Sequence, residues 1–342
     1  MPKETILIIG AGLCGSLLAL RLGQRGFKVR VIEMRPDLRT VDISAGRSIN
    51  LAFSNRGLKA IKLVGLESKV KRLCIPMHGR MIHDKDGKTF LSNYSGRENE
   101  SINSISRELL TALLLDEAEA LDNVTIEFEN RCTKVDFDAK IGVFENRNTG
   151  TTFEVSADLI FGTDGAGSSL RKSYFQERKF LFSFSQHYLT HGYKELTIQP
   201  DSNGGFKAFK NALHIWPRGD FMIIALPNLD GSFTVTLFLS YETGEYNFEN
   251  LVKDPQEFYT NNESEVFINT KENFENINIW NQLIIWNTIY KTLCSWINWI
   301  RNFSSLIWRI PLLMIILYYW RQPQVRLRPQ NKLLLTTLTS RT

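Results

Sequence analysis

Residues 5–33 hold the sequence pattern that most constrains this chain: an apolar strand, a glycine turn, a helix and a second strand that ends in an acid. In the turn, Gly10 permits a tight bend, Gly12 lets a phosphate approach the backbone, and Gly15 lets helix and strand pack closely. Glu33 follows at the spacing of an acid that binds a ribose diol. The pattern predicts an α/β fold with a bound dinucleotide, and by itself it does not distinguish FAD from NAD.

Basic residues are concentrated at the C-terminal end of the chain. After Glu275 the sequence contains eight Lys and Arg residues and no Asp or Glu, and six of its seven tryptophans lie between residues 280 and 320. The formal charge of +5 therefore comes from this end and does not indicate a nucleic-acid-binding protein. The four cysteines are far apart, without a CxxC pair or a signal peptide, which predicts a reducing, cytoplasmic compartment and no zinc site. The histidines also lack the spacing of metal ligands.

Composition and periodicity divide the chain into three parts. Residues 1–175 alternate strand and helix patterns and include a hairpin over 77–94, which predicts a Rossmann-like α/β domain. Four β-branched and aromatic runs within 187–241, separated by turn residues, predict an antiparallel sheet in a second domain at 176–245. Residues 246–342 form an atypical tail. We expect the ligand to bind between the first two domains.

A second motif, Gly-Thr-Asp-Gly at 162–165, follows an apolar strand pattern. Further segments match one family of enzymes: GRSINLA (46–52), GRMIHDKDGK (79–88), SISREL (104–109), HGYKELTI (191–198) and NALHIWPRGDFMIIALPN (211–228). Over about residues 4–241 the chain resembles the kynurenine 3-monooxygenases, a family of FAD-dependent aromatic hydroxylases. The Asp-Gly motif, and the lack of a second dinucleotide unit for a nicotinamide, favour FAD over NAD as the resident dinucleotide.

The resemblance implies a flavoprotein monooxygenase with the fold of the aromatic hydroxylases. FAD would be the cofactor, NADPH the reductant, and dioxygen and L-kynurenine the substrates. The product would be 3-hydroxy-L-kynurenine, formed by a flavin C4a-hydroperoxide. Because flavin carries this chemistry, no catalytic side chain is expected, and the sequence accordingly offers no Ser/His/Asp or Cys/His constellation.

On the substrate side, the resemblance implies that Arg80 and Tyr94 bind the carboxylate of the amino acid. An arginine suits this task because its planar fork of donors matches carboxylate geometry. Apolar residues of the antiparallel strands are expected to cover the aromatic ring, although plain core packing is the alternative for each. These residues are Leu213, Ile224, Leu226 and Phe238.

On the cofactor side, the resemblance assigns the adenosine to Glu33 with Arg35 and the flavin diphosphate to Arg107. Asp164 is expected to serve the flavin or the NADPH path, its alternative role being that of a turn residue. Cys14 is interpreted as a small filler of the glycine turn and not as a redox thiol. The full set of expected cofactor-binding residues is Gly10, Gly12, Leu13, Cys14, Gly15, Glu33, Arg35, Ala52, Arg107 and Asp164.

The C-terminal portion departs from the family pattern. Family members carry a second FAD motif of the Gly-Asp-Ala-Ala-His type and a PFxGQGMN-like loop after the antiparallel sheet, and neither occurs after residue 241. The residues from about 276 onward are either a non-native continuation, as from a shifted reading frame or a truncated gene, or a basic amphipathic segment that contacts a membrane. The cleanest apolar run, 310–320, has 11 residues, fewer than the ~20 of a membrane-spanning helix.

Three functions follow from these observations. The leading one is the NADPH-dependent hydroxylation of L-kynurenine. The second is a non-catalytic FAD-binding remnant, and the third is a related hydroxylase that acts on another aromatic acid.

Overall fold

The computed structural model describes residues 4–41, 50–97, 100–177, 180–181 and 183–253. The expectations for the tail beyond residue 253, including its contact with a membrane, lie outside these residues. None of the described helices is long and apolar enough to cross a bilayer.

Strands and helices alternate through the first half of the described chain, and strands dominate the second half. In chain order the elements are β1 (Thr5–Ile9), α1 (Leu13–Gln24), β2 (Lys28–Ile32), β3 (Asn50–Phe53), α2 (Asn55–Leu63), α3 (Glu67–Arg72), β4 (Ile75–Met77), β5 (Gly79–His83), β6 (Thr89–Asn93), β7 (Ile102–Ser106), α4 (Arg107–Glu119), β8 (Val124–Glu127), β9 (Asn130–Asp136), β10 (Ile141–Asn146), β11 (Thr152–Ser156), β12 (Leu159–Gly162), α5 (Ser169–Gln176), β13 (His191–Ile198), β14 (Ala212–Arg218), β15 (Phe221–Pro227), β16 (Phe233–Ser240) and α6 (Phe248–Lys253).

A four-stranded parallel sheet in the order β12-β1-β2-β8 forms the centre of the first part. On β1, Ile6 and Ile8 face the helices α1 and α4 in one core. Leu7 and Ile9 face the antiparallel sheet β11-β10-β9 in another core. Because both faces of β1 are buried, its sequence is a continuous apolar run instead of an alternating one.

Helices α1 and α4 lie side by side on this sheet. Each leads into a strand of the same parallel sheet, α1 into β2 and α4 into β8, so both run opposite to the strands. The ends of the two helices also lie close together. A Cβ on Gly23, near the end of α1, would lie 2.4 Å from Val124 Cγ2 and 2.8 Å from Leu121 Cδ1, and both of these residues come just after the end of α4. The first residues of both helices therefore lie at the sheet edge where β1 and β2 end.

The second large sheet has six strands in the order β13-β16-β15-β14-β5-β6. The four strands expected between residues 187 and 241 are confirmed as β13 to β16, and they pair antiparallel. The hairpin β5–β6 extends this sheet through a parallel pairing of β5 with β14. The sheet is therefore mixed and not purely antiparallel, because a long crossover separates the two strands and lets them run in the same direction.

A small sheet, in the order β3-β7-β4, joins the two large ones. The sequence patterns do not predict it, because its strands are short and one of them is the three-residue segment Ile75–Met77 with a central proline. Asn50 and Ala52 on β3 face the six-stranded sheet, whereas Leu51 and Phe53 face the core of α1 and α4. The small sheet thus brings the two halves of the expected site into contact.

Candidate functional site

Two glycines of the turn after β1 are required by close backbone packing. Gly10 has φ +99°, and a Cβ there would lie 2.8 Å from the Cα of Asp164 and from the carbonyl of Thr163. A Cβ on Gly15 would lie 1.9 Å from the carbonyl oxygen of Gly10. Gly12 differs from both, because a Cβ there would meet nothing within 4 Å. The space around Gly12 leaves the backbone open to a ligand.

Helix α1 begins directly at this open space. It starts at Leu13 after Gly12, and neither a side-chain cap nor an acid occupies its first turn. The first N–H groups of a helix lack partners within the helix, and they favour an anion. Leu13 is buried in the core. Burial raises the pKa of Cys14 to about 12, so the thiol stays protonated at neutral pH, as expected of a small filler.

The acid at the end of β2 is held against the turn. Glu33 accepts a hydrogen bond from the Ala11 N–H at 2.7 Å through Oε2, and one from the Arg35 N–H at 3.0 Å through Oε1. Each carboxylate oxygen has a second acceptor position. Glu33 is half-buried and Arg35 is exposed. The carboxylate is therefore fixed in place and retains capacity for two ligand hydroxyls.

The Gly-Thr-Asp-Gly motif packs directly against the glycine turn. Thr163 Oγ1 donates to the carbonyl oxygens of Ile9 at 2.9 Å and Gly10 at 2.7 Å. Asp164 Oδ2 accepts the Ser169 N–H at 2.7 Å, at the start of α5. Asp164 thus caps a helix in this structure, and its expected contact with flavin or NADPH stays a prediction.

The expected ring-covering residues lie on one face of the six-stranded sheet. Arg80 on β5 pairs directly with Leu213 on β14. Ile215, two residues beyond Leu213 on β14, pairs with Ile224 on β15. Met222, two residues before Ile224 on β15, pairs with Phe238 on β16. Paired residues, and residues two apart along a strand, share a face. We call this surface, with Arg80, Leu213, Ile224, Leu226 and Phe238, the site face.

Part of the site face is a closely packed apolar cluster. Leu213 and Leu226 are buried there with Met77, and Ile224 packs against them. Ala52 of the small sheet contacts the same cluster, so a residue expected at the cofactor lies against the residues expected at the substrate. Other members are Ile102 and Ile215. Phe238 lies outside the cluster, with its ring centroid 6.5 Å from that of Tyr193.

Arg80 and Tyr94 are neighbours, as the resemblance predicts. The guanidinium carbon of Arg80 lies 5.2 Å from the centre of the Tyr94 ring. The Nε atom of Arg80 is buried without a hydrogen-bond partner, and no acid of the described residues forms an ion pair with this side chain. Burial raises the pKa of Tyr94, so its hydroxyl is a donor at neutral pH. A half-buried cation without an anion is costly unless a ligand supplies one.

Glu195 is a residue of the site face that the sequence analysis missed. It lies on β13 directly opposite Thr236, is 7% exposed, and has an Oε1 atom without a partner. Burial and the nearby charge of Glu108 raise its pKa to about 7, with Lys194 and Arg107 acting in the opposite direction. The alternation in HGYKELTI is a usable signal, because it places Glu195 on the face opposite the core residues Leu196 and Ile198.

Asn50, on β3 of the small sheet, is a second residue that the sequence analysis missed. Its Nδ2 atom donates to Ser104 Oγ at 3.2 Å and to the Pro227 carbonyl at 3.3 Å, and it also contacts Asn228 Oδ1. Its own Oδ1 is buried without a partner. Together with Arg80 Nε and Glu195 Oε1, it completes the set of buried, unpartnered side-chain polar atoms in the described part of the chain.

The comparison with known protein families agrees with a dinucleotide site at the glycine turn. The FAD binding domain family matches residues 3–184, which include the glycine turn, Glu33, Arg107 and Asp164. This chain belongs to that family. The resemblance to kynurenine 3-monooxygenases is also confirmed: the protein of that name from Myxococcus xanthus is 45% identical over 249 residues, 73% of this chain and 53% of that protein. The one from Dictyostelium discoideum is 45% identical over 73% of this chain and 52% of its own length. The chain thus spans about half the length of the curated FAD-family relatives that it matches.

Solved structures confirm the fold of the aromatic hydroxylases. The p-nitrophenol 4-monooxygenase PnpA from Pseudomonas putida superposes with a TM-score of 0.59 at 15% identity, over 75% of this chain and 62% of its own. The tetrameric 2-methyl-3-hydroxypyridine-5-carboxylic acid oxygenase gives a TM-score of 0.56 at 20% identity, over 70% of this chain and 60% of its own. At these identities the likeness is one of fold.

Proposed function

We propose that this chain binds FAD and, with NADPH and dioxygen, hydroxylates L-kynurenine to 3-hydroxy-L-kynurenine. The observation that carries the proposal is Arg80, whose buried Nε has no partner. It stands beside Tyr94 at one end of an apolar wall, within the residues 3–184 that match the FAD binding domain family. Such a pairing suits a ligand with a carboxylate at one end and an aromatic ring at the other.

The residues of the glycine turn fit the adenosine and diphosphate of FAD. The uncapped first turn of α1 and the open space at Gly12 suit phosphate oxygens. Glu33, fixed by the Ala11 N–H, would accept hydrogen bonds from the ribose hydroxyls. Arg107 lies at the start of α4, at the same edge of the sheet, where it would add positive charge. When bound, the flavin supplies the redox chemistry and the activation of dioxygen.

The site face would bind and orient the substrate. Arg80 would donate charge-assisted hydrogen bonds to the carboxylate, and the protonated hydroxyl of Tyr94 would add another donor. Leu213, Ile224 and Leu226 would pack against the ring and exclude water from it. The ring amine of kynurenine already activates the position beside it, so the wall needs only to place that position toward the flavin.

The test is an absorbance scan of the purified chain followed by a measurement of NADPH oxidation. We expect a yellow protein whose NADPH oxidation is stimulated by L-kynurenine, with 3-hydroxy-L-kynurenine as product. The matched control is the amine formed by removing the carboxylate from kynurenine, which keeps the ring and loses the group that Arg80 binds. Equal stimulation by both compounds, or by an unrelated aromatic acid alone, would contradict the assignment of substrate.

A second candidate is FAD binding without turnover. It is favoured by the absence of a Gly-Asp-Ala-Ala-His type motif between residue 241 and residue 342. The same experiment separates the two functions. Bound flavin that NADPH does not reduce, with or without L-kynurenine, would support the second candidate.

A further inference from the structure

Glu195 is the one buried, unpartnered polar group of the site face without a role in the proposed function. Arg80 awaits a carboxylate, and Glu195 is too far away to bind the same group. Four strand-to-strand steps separate β13 from β5 in the sheet, or roughly 19 Å at about 4.8 Å per step. Glu195 therefore belongs to the other end of the site face.

At that end of the site face, Glu195 lies within electrostatic range of the start of α4. The ionisable groups that act on Glu195 are Arg107 and Glu108, at the start of α4, and Lys194 on its own strand. The neighbouring strand β16 presents Thr236 and Phe238 on this face, neither of which is ionisable. The first turn of α4 is capped by Ser106 and contains Glu108, whereas that of α1, which begins at the same sheet edge, has neither a side-chain cap nor an acid. The helix end that favours an anion on this side of the molecule is therefore the start of α1.

Burial leaves this carboxyl easily protonated. Its pKa of about 7 means that a substantial fraction is protonated at neutral pH even without a ligand. An anionic diphosphate at the start of α1 would add negative charge and offset the cation of Arg107. Both changes disfavour a second negative charge nearby and shift the carboxyl further toward its neutral form.

We propose that Glu195 is the proton-accepting residue of the dinucleotide site, taking up one proton from solvent when the diphosphate of FAD binds at the start of α1. An O–H bond forms on the carboxylate, water or buffer supplies the proton, and no electrons are transferred. The neutral carboxyl then stands beside the bound anion without repelling it. This inference rests on the FAD-binding part of the proposed function and not on the hydroxylation.

Calorimetric titration of the flavin-free chain with FAD measures the effect directly. Titrations between pH 6 and 9, in pairs of buffers with different ionisation heats, report the protons taken up. We expect uptake that approaches one proton near pH 8, and a Kd for FAD that rises as the pH rises above 7, by up to about tenfold per pH unit.

Three variants assign the proton to Glu195. Glu195→Gln keeps the size and polarity of the side chain, and it should abolish both the proton uptake and the pH dependence of Kd. Glu108→Gln removes the neighbouring anion, so the pH dependence should move to lower pH. Lys194→Gln removes a cation and should move it to higher pH. A merely structural role of Glu195 would not produce these opposite displacements.

The outcomes separate this inference from the proposed function. FAD binding without proton uptake, or with unchanged uptake in Glu195→Gln, would overturn the inference and leave the hydroxylase standing. Proton uptake without NADPH oxidation would support the inference and overturn the hydroxylation. Failure to bind FAD would overturn both. If Glu195→Gln does not fold, the displacements in Glu108→Gln and Lys194→Gln decide, and their absence counts against the inference.

Discussion

The dinucleotide end of the parallel sheet and the site face of the mixed sheet satisfy their polar groups in opposite ways. At the glycine turn, Glu33 and Thr163 are held by backbone partners. On the site face, Arg80 and Glu195 are buried with unpartnered atoms. In the first region these side chains already have protein partners, and the groups left for a ligand are backbone N–H groups at the start of α1, whereas the second region carries unmet side-chain polar groups whose cost a ligand can offset. Buried polar groups without partners therefore mark the face of the sheet on which we expect a ligand to bind.

The largest expected effect tests the rigidity of the glycine turn. In Gly15→Ala the new methyl group would lie 1.9 Å from the Gly10 carbonyl oxygen, and backbone cannot yield as a side chain does. We expect a loss of about 3 kcal/mol or more in the free energy of unfolding, measured by urea denaturation.

Gly12→Ala is the matched control for that substitution. Its methyl group would meet nothing within 4 Å, so stability should stay within about 0.5 kcal/mol of the wild type, while the affinity for FAD should fall because the methyl group fills the phosphate approach. Equal destabilisation by both alanines would show that the two glycines do not differ as described.

The next effect concerns the stability cost of the buried carboxyl on the site face. The folded pKa of Glu195, about 7, lies above its ordinary value of 4.5, so the folded state binds more protons between these values. The contribution of Glu195 to stability is therefore fully present below pH 4.5 and is lost as the pH rises through 7. Glu195→Gln should match the wild type near pH 5 and exceed it at pH 8 by up to about 3 kcal/mol. Urea denaturation at both pH values measures this difference, and an equal difference at both would refute it.

A smaller effect tests whether the site face is organised around a carboxylate. Arg80→Gln removes the cation and leaves Tyr94 and the apolar wall in place. The affinity for L-kynurenine should fall by about 2 kcal/mol, or roughly 30-fold, with little loss of stability. The affinity for the amine that lacks the carboxylate should not change. If both ligands lose affinity equally, Arg80 acts on the wall and not on the carboxylate.

The smallest effect compares the site face with the opposite face of the same sheet. There His83 Nε2 lies 2.8 Å from His214 Nδ1, and the ring of His83 stacks on Trp216 at 4.1 Å. Burial, together with the charges of His214 and Arg218, lowers the pKa of His83 to about 4. The folded state therefore resists protonation, and stability that is complete above pH 6.5 should decline as the pH falls toward 4.

His83→Gln should remove part of this decline in acid, as followed by thermal unfolding at pH 7 and pH 5. The matched control is His78→Gln, because His78 is exposed one residue before the same strand. A decline that persists unchanged in His83→Gln would assign the acid sensitivity to other groups. Glu195 and His83 thus give the two faces of one sheet opposite responses to pH.

Much of the fold could be predicted from the sequence because the patterns that indicate it are local. The turn at Gly10 and the strands β13 to β16 follow from spacing and alternation within a few residues. The small sheet could not be predicted, since strands such as Ile75–Met77 are too short to show an alternating pattern of apolar and polar residues. The parallel pairing of β5 with β14 was also not readable, because it joins segments more than 120 residues apart.

The site divides in the same way. The position of Glu33 against the turn could be predicted from its distance along the chain, because the requirement is one of backbone geometry. Arg80 and Tyr94 could be proposed only through a family resemblance, and their contact is a result of the structure. Glu195 and Asn50 were missed, because an unpartnered atom is defined by what its neighbours in space fail to offer.

The sequence by itself determined the glycine turn, the acid that follows it and the strands of the second sheet, since these depend on steric limits and periodicities that act over a few residues. The tertiary structure alone decided which side chains share the site face and which of them stay without a partner. Its crossover connections bring distant strands together, and burial then turns ordinary side chains such as Arg80 and Glu195 into groups that need a ligand or a proton.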